Sequence, residues 1–578
     1  MKKLSQLLKK IDDNLVKILF SMFIFIVPLY PKLPIRMINY TYIAVRAEDF
    51  FLLFLGLVFA IQYIRKKVTV NFNLFLFLFL FLLFWVSCFA SVFYGLSIRA
   101  IIINHLGYLH ALRRIEYMSV FFIAASLITS KKEFFYYLKL ILFVFLIVSV
   151  YGIGQKFLGW PAVQTMNPEY AKGYLLFLTP EARVSSTFAG HYDLAAYLIF
   201  LMPILLGYFF FRSQIRYFVW FCISLFTLIL TASRISYGAY IISVFLFLLA
   251  FKKFKYFLIV FVLTVLLTFS SKNLTSRIER TFQVKQIFVN QQTGQVIVPQ
   301  KITTKEIPAG TFYIELKPKV TGTAKSILLG TEISTTGAKL NTSKQLTTSK
   351  TQGGTGKIVT KPKKALNPME TIIASVAASL NSVKASISSF LFGTQNYTKS
   401  SADEQLVKQK IKEDIRWEAS RSGTILTAED EDRMIASIAA GLKPITTVVS
   451  DISFATRIQV EWPRAIIAFL KSPILGTGPS SITEATDNDF LRWLGELGLL
   501  GTTLFLVILG LIAKNILSYT LKLKGEIRLI YFGFLFGLGA LLFNATYIDV
   551  FEASKLAFQF WITSGIFIGS TKFIVKGK

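Results

Sequence analysis

Long apolar runs separated by short polar or basic connections dominate this chain. Many of these runs approach the roughly 20 residues that an α-helix needs to cross a bilayer. Hydropathy predicts spans near residues 15–29, 49–64, 72–95, 115–130, 134–156, 190–211, 217–232, 235–251, 254–270, 497–513, 529–547 and 554–572. We therefore expect an all-α polytopic membrane protein with about twelve transmembrane helices.

The segment between the ninth and tenth predicted spans is too long to be a plain connector. Short β-branched runs split by Gly and Pro, such as residues 295–299 and 311–317, predict a small β unit. From Lys339 to Lys364 there are seven lysines and no acidic residue, among many Thr, Ser and Gly residues. This composition predicts a flexible linker, although its lysines could instead attract an anionic glycan or lipid headgroup.

A helical period follows the linker. Ser401-Ala-Asp-Glu404 looks like a capping box, and Thr427-Ala-Glu-Asp430 could start a further amphipathic helix. The predicted organisation is a membrane domain of nine helices (1–270), a β-like insertion (271–338), the linker (339–366), a helical segment carrying the candidate site (367–496) and three final helices (497–578).

Composition supports the membrane assignment, since 54% of residues are apolar and mean hydropathy is +0.57. A net charge of +31 would suggest nucleic acid in a soluble protein, but here much of it lies between spans and indicates orientation. With a cytoplasmic N-terminus, every inside connection is basic, as at Arg65-Lys66-Lys67 and Lys252-Lys253. We therefore expect both termini in the cytoplasm, the long insertion outside the cytoplasmic membrane, and no nucleic-acid partner. Arg113-Arg114, beside Glu116, are the exception, because this topology puts them outside.

Four stretches on the predicted outer side place an Arg or Asp at the edge of a span, together with small residues and an aromatic. They are residues 183–193, 231–234, 457–478 and 487–503. An ionisable group at a membrane boundary is a functional candidate. The alternatives are a solvated helix entry capped by Asp487 or Asn488, and snorkelling of Arg234 to the interface.

In order and spacing, these stretches resemble the O-antigen ligase and Wzy-type polymerase family of membrane glycosyltransferases. Members carry a His followed by Asn, Ser or Gln, then nine residues, then Gly-x-x-Gly and often Thr-Thr. Here Asp487-Asn488 precede Gly498-Leu-Leu-Gly501 and Thr502-Thr503 by that spacing. The other three stretches are similar to the family's Arg-x-x-Gly-Thr-Phe, Thr-x-Ser-Arg and Trp with Pro-Leu-Leu-Gly-x-Gly patterns. The resemblance covers roughly residues 180–510 and is interrupted from 282 to about 450.

The resemblance implies transfer of a glycan from an undecaprenyl-diphosphate carrier to an acceptor hydroxyl on the outer face, without metal or other cofactor. A departing diphosphate needs fixed cations, and guanidinium groups bind it through planar, bidentate contacts. Arg183 and Arg234 are the first candidates for this role. The acceptor hydroxyl needs a general base, and Asp487 occupies the family's His position, a departure that leaves the base open.

Substrate contacts are expected from Arg457, Arg464, Trp462, Asn488, His191 and Asp489. Asp489 is the nearest substitute for Asp487 as the base. His191 could also supply an imidazole, but an ordinary hydrogen-bonded interface residue is the favoured interpretation. His105 and His110 have no acidic or cysteine partners in the sequence, so no metal site is expected.

The leading hypothesis is a ligase of surface polysaccharide, with a Wzy-type polymerase or a protein O-oligosaccharyltransferase as alternatives. A ladder of repeat lengths in the product would indicate polymerisation, and a capped acceptor would indicate ligation. A polysaccharide transporter or flippase would also suit about twelve spans. The sequence shows neither paired half-chain repeats nor many acidic residues within the spans, which disfavours transport.

Overall fold

The structure is a computed structural model. It describes residues 2–38, 44–69, 74–163, 175–179, 182–270, 284–290, 296–297, 313–314, 408–409, 411–412, 415–416, 427–440, 442–448, 457, 461–482 and 486–572. The predicted linker, 339–366, and the predicted capping box at 401–404 lie outside these residues.

Long helices occupy each of the predicted apolar segments. They are α1 (Lys2–Leu29), α2 (Ala47–Ile64), α3 (Phe75–Ser97), α4 (Asn104–Leu127), α5 (Lys131–Phe157), α6 (His191–Arg212), α7 (Ile215–Thr231), α8 (Arg234–Ala250), α9 (Phe254–Ser270), α12 (Asp489–Thr520), α13 (Ile527–Ala545) and α14 (Ser554–Ser570). Two shorter helices, α10 (Ala428–Ala440) and α11 (Trp462–Lys471), lie between α9 and α12. The predicted helical fold class is confirmed at this level.

Within the described residues, six helices are long and apolar enough to cross a membrane: α2, α3, α5, α6, α12 and α13. Helices α7, α8 and α9 are equally apolar but shorter. These helices are compatible with a multi-pass membrane protein, and the number of twelve spans stays a prediction.

Helix α4 begins well before the span predicted there. The predicted span begins at residue 115, whereas the helix begins at Asn104. Arg113 and Arg114 therefore lie inside a helix, and the expectation of an outer loop containing them is wrong. Hydropathy missed the first turns of α4 because they carry charged side chains whose partners come from distant parts of the chain.

Successive helices run in alternating directions, so their ends gather at two ends of a bundle. We call the end that contains Leu29, Ala47, His191 and Arg234 the site end. There the ammonium group of Lys555 donates hydrogen bonds to the carbonyl oxygens of Tyr30 (2.6 Å), Thr187 (2.6 Å) and Pro28 (3.1 Å). One buried cation thus ties α1, α14 and the segment before α6 together.

The opposite end is held by more exposed ion pairs. Arg65 pairs with Asp12 at 2.7 Å, and Lys253 pairs with Glu526 at 3.1 Å. Such exposed pairs stabilise a protein only slightly, because water screens the two charges. The two ends therefore differ, with buried charges at the site end and exposed charges at the other.

Helix α6 is the buried centre of the bundle and packs closely on α13. A Cβ atom added at Gly207 of α6 would collide with backbone atoms of Leu529, and one added at Gly533 would collide with the backbone of Pro203. Gly537 approaches the carbonyl oxygen of Phe200 in the same way. Small residues allow this approach, which replaces the hydrophobic driving force that helices lack inside a lipid bilayer.

The described strands are all short. Three lie between earlier helices: β1 (Arg36–Met37), β2 (Ala44–Val45) and β3 (Phe177–Leu178). Four lie between α9 and α11: β4 (Val284–Asn290), β5 (Val296–Ile297), β6 (Tyr313–Ile314) and β7 (Leu442–Val448). Strands β5, β4 and β7 form one sheet in that order, and Val284 faces Val448 across the antiparallel pair β4–β7. Strand β7 falls in the segment predicted as helical, so that interpretation of 367–496 is incomplete. Helix α10 begins directly after Thr427, where the Thr-Ala-Glu-Asp pattern predicts a start.

Replacing Gly537 with Ala should lower the thermal stability of the protein in detergent micelles. The added methyl group must displace the backbone of α6, and such overpacking typically costs about 1–3 kcal/mol. Gly539→Ala is the matched control, because a Cβ at Gly539 has no atom within 4 Å. Thermal unfolding should show a lower Tm for Gly537→Ala only; equal shifts would contradict the close-packing account.

Candidate active site

The Pro473–Gly478 segment packs against the Gly498–Gly501 motif in the first turns of α12. The N–H of Leu499 donates to the carbonyl oxygen of Pro473 at 2.8 Å, and that of Gly478 donates to Glu496 at 2.9 Å. Gly498 breaks the helix with a φ of 63°, and Gly476 has a φ of 72°. A Cβ at either glycine would also collide with backbone atoms of the other motif. The conformation and the contact both require glycine, so residues 473–482 and the first turns of α12 form one unit.

A carboxylate that the sequence analysis overlooked holds this unit in place. Asp549, in the connection between α13 and α14, accepts hydrogen bonds from three successive N–H groups, those of Thr486 (2.9 Å), Asp487 (3.2 Å) and Asn488 (3.0 Å). It also pairs with Arg492 at 3.0 Å. Successive N–H groups that converge in this way form an anion-binding nest, which here is filled by the protein's own carboxylate. The positive φ of Asp487, 51°, belongs to this arrangement.

Asn488 and Asp489 are predicted to contact substrate, but in the structure their side chains accept hydrogen bonds from backbone N–H groups of the protein. Asn488 caps α12 by accepting the N–H of Leu491 at 3.0 Å, which confirms the capping alternative. Asp489 is fully buried and accepts N–H groups from Val550 (2.7 Å) and Phe551 (3.2 Å). Both side chains therefore hold the α13–α14 connection against the start of α12.

A buried ion network extends from Arg492 towards α4. Arg492 lies 3.5 Å from a carboxylate oxygen of Glu496, and Glu496 pairs with Arg114 at 2.7 Å. Arg114 also pairs with Glu552 at 2.9 Å. Buried charges need such partners, because an uncompensated charge in a low-dielectric interior is costly. The network explains why Arg114 is tolerated inside a helix.

Arg457 and Asp487 form an ion pair beside Tyr547. Only 3% of the Arg457 side chain is exposed, against 29% for Asp487. The Arg457 guanidinium carbon lies 4.3 Å from the centroid of the Tyr547 ring, within cation–π distance. Trp462 meets the same ring edge-on at 6.3 Å. Three predicted residues, Arg457, Trp462 and Asp487, thus share one location.

Arg234, the first residue of α8, acts electrostatically on Tyr547. The neighbouring Ser236 hydroxyl donates to the side-chain oxygen of Asn544 at 3.2 Å, which fixes the start of α8 against the end of α13. Burial raises the pKa of Tyr547, and the charges of Arg457 and Arg234 act against that increase. Arg234 therefore lies within electrostatic range of the ring that Arg457 contacts.

Arg183 reaches the same region through α6. Its Nη1 contacts Nε2 of His191 at 2.5 Å, and its guanidinium carbon lies 6.0 Å from the centroid of the Tyr192 ring. Because a guanidinium only donates, His191 must accept through Nε2 and is therefore neutral. This supports the hydrogen-bonded interface interpretation of His191. Tyr192 is also close enough to Tyr547 to affect its pKa.

The structure thus brings Arg183, Arg234, Arg457 and Asp487 together around two tyrosines. Arg464 lies close by on α11, with an exposed side chain. Burial raises the pKa of Asp487 to about 7; Arg457 opposes this increase, whereas Asp549 and Glu461 add to it. An arrangement of three guanidinium groups can bind an anion, and a carboxyl group with this pKa can exchange a proton near neutral pH.

The sequence alone did not identify Asp549, Tyr547 or Lys555 as candidates. Lys555 did carry a signal, because it is a cation in the predicted span 554–572, and such residues are functional or structural candidates. Asp549 lies in a short connection on the same predicted side as the four motifs. Its three N–H partners could not be inferred, because they come from a segment about 60 residues earlier in the chain.

Comparison of the chain with protein-family models, curated protein sequences and solved structures finds no match. The resemblance to the O-antigen ligase and Wzy-type polymerase family therefore rests on the quoted motifs alone.

Asp549→Ala should destabilise the protein strongly. It leaves three backbone N–H groups without their acceptor and removes a partner of buried Arg492, and breaking a buried ion pair typically costs about 3–5 kcal/mol. Asp13→Ala is a control, because Asp13 pairs with Lys67 and is 46% exposed at the opposite end. Thermal unfolding in detergent should show a much larger loss for Asp549→Ala, and a similar small loss in both variants would contradict the role of Asp549.

Proposed function

We propose that this protein transfers a glycan from a polyprenyl-diphosphate carrier to an acceptor hydroxyl. In this proposal the site end faces the outside of the cytoplasmic membrane and both termini lie in the cytoplasm. The observation that carries the proposal is the convergence of Arg183, Arg234, Arg457 and Asp487, which come from separate stretches of the chain, around Tyr192 and Tyr547.

Charge stabilisation of the leaving group is the task assigned to the arginines. As the bond between the anomeric carbon and the diphosphate oxygen breaks, its electron pair passes to the diphosphate. Guanidinium groups stabilise this developing charge through bidentate hydrogen bonds, and burial strengthens the interaction because the local dielectric is low. Arg183 and Arg457, with 5% and 3% exposure, have that environment.

Proton removal from the acceptor is the task assigned to Asp487. The hydroxyl oxygen attacks the anomeric carbon, and its proton passes to the Asp487 carboxylate as the new glycosidic bond forms. A general base is most effective when its pKa lies near the working pH, as the pKa of about 7 for Asp487 does. The ion pair with Arg457 orients the carboxylate, and the backbone of Asp487 is held by Asp549.

The acceptor defines which kind of transferase this is. A ligase joins the glycan to a different acceptor, a polymerase extends a glycan on its own carrier, and a protein O-oligosaccharyltransferase uses a Ser or Thr hydroxyl. Reconstitution with a polyprenyl-diphosphate sugar and isolated envelope acceptors separates them, because each gives a different product. Solute movement without any new glycosidic bond would favour the transporter alternative instead.

Arg234→Lys should reduce transfer by about 100-fold or more, because an ammonium group cannot reproduce the bidentate guanidinium contact. Arg216→Lys is the matched control. Arg216 lies beside Tyr217 at the beginning of α7, at the end of the bundle opposite the site end. Initial rates of the two purified variants, compared with the wild type in proteoliposomes at equal protein amount, provide the measurement. Full activity of Arg234→Lys would exclude the diphosphate role.

The pH dependence of transfer should report the ionisation of Asp487. Below its pKa of about 7 the carboxyl group is protonated and cannot accept a proton, so the rate should rise about tenfold per pH unit and level off above that value. Asp487→Asn should lose most of the rate together with the rising limb. An unchanged pH profile in that variant would show that another group is the base.

A further inference from the structure

A cavity between α2, α3 and α4 is lined by none of the candidate active-site residues. Its volume is about 1040 Å³, and it is open to the protein surface. Most lining side chains are apolar, and several are well exposed, including Leu53 (62%), Leu57 (56%) and Phe75 (62%). Helices α2 and α3 are apolar enough to cross a membrane, and an open apolar groove on such helices favours a hydrocarbon chain over water.

The groove is polar at one end only. Asp49, Arg113 and Glu116 line it where α2 begins, and Arg113 donates to the carbonyl oxygen of Ala44 at 3.0 Å. Among the described residues, Arg113 Nε and Glu116 Oε1 are buried without a hydrogen-bond partner. These polar side chains mark the end of the groove from which the head of a bound lipid would extend, since the rest of the lining is mostly apolar.

The apolar part of the groove is longer than one leaflet. It continues along α2 from Asp49 to Tyr63, about 21 Å at 1.5 Å per residue. The hydrocarbon core of a bilayer is about 30 Å thick, so one leaflet provides about 15 Å. A phospholipid acyl chain anchored at the polar end would leave the far part of the groove to other lipids, whereas a longer chain would fill it alone.

We propose that the groove between α2, α3 and α4 binds a polyprenyl chain longer than one leaflet, whose head extends from the polar end of the groove. This inference rests on the proposed function, because the groove would hold the tail of the carrier lipid. Its polar end belongs to the same end of the bundle as Arg183, Arg234 and Asp487.

Gly56 provides the test, because it lines the groove and a Cβ added there has no atom within 4 Å. Gly56→Trp should fill the groove without disturbing the protein. Gly510→Trp on α12 is the matched control, since that glycine also has open space around it. Ala60→Trp, about one helical turn from Gly56, is a second groove variant, and thermal unfolding should confirm that all three variants fold.

Purified protein in phosphatidylcholine nanodiscs would be photolabelled with a benzophenone-bearing undecaprenyl phosphate, and labelled peptides identified by mass spectrometry. Labelling should fall on α2, α3 and α4 and be competed by unlabelled undecaprenyl phosphate at least tenfold better than by geranylgeranyl phosphate. Both groove variants should lose at least 90% of this labelling, that is about tenfold, while Gly510→Trp should keep it.

Equal labelling by a phosphatidylcholine carrying the same photophore would overturn the proposal, since bulk lipid would then fill the groove. Equal competition by the short isoprenoid would overturn the length argument, and labelling unaffected by Gly56→Trp would exclude this groove. Photolabelling requires neither acceptor nor turnover. Failure to label with transfer intact therefore refutes the groove alone, whereas labelling without transfer refutes the proposed function alone.

Discussion

The acceptance of three successive backbone N–H groups by the carboxylate of Asp549 is the interaction on which the site end depends. Buried N–H groups must find partners, and residues 486–488 precede α12 in a conformation that leaves theirs outside any helix or strand. Asp549 supplies one acceptor for all three and is itself compensated by Arg492. Through this contact, a residue of the α13–α14 connection determines where the backbone of Asp487 lies.

Charged residues elsewhere at this end follow the same requirement. Arg114 and Arg492 are surrounded by apolar helices, so each is held by carboxylates, and Glu496 is shared between them. Lys555 instead places its ammonium group among three carbonyl oxygens. These contacts join α1, α4, α12, α14 and the segment before α6, and the close glycine packing of α6 on α13 adds a further link. A buried charge in such a bundle favours one arrangement of the helices, because any rearrangement would leave the charge without a partner.

Under these proposals, two parts of the protein bind two different parts of one lipid-linked substrate. The arginine site is compact and polar, and it would recognise a diphosphate and sugars through directional hydrogen bonds. The groove between α2, α3 and α4 is open and apolar, and it would hold the tail with little chemical specificity beyond length. Such a division suits a membrane enzyme, because apolar burial supplies affinity while directional polar contacts supply selectivity and catalysis.

Hydropathy by itself located the twelve long helices, apart from the beginning of α4, because a membrane helix must be apolar over nearly its whole length and satisfies its own backbone. It also predicted that Arg183, Arg234, Arg457 and Asp487 share one side, since short connections force neighbouring helices to alternate. Only the tertiary structure decided how these side chains are used. Asn488 caps α12, and His191 contacts Arg183. Arg114 pairs with Glu496, which lies 382 residues later in the chain. Such pairings depend on which helices pack together, and that choice is made by side chains far apart in the sequence.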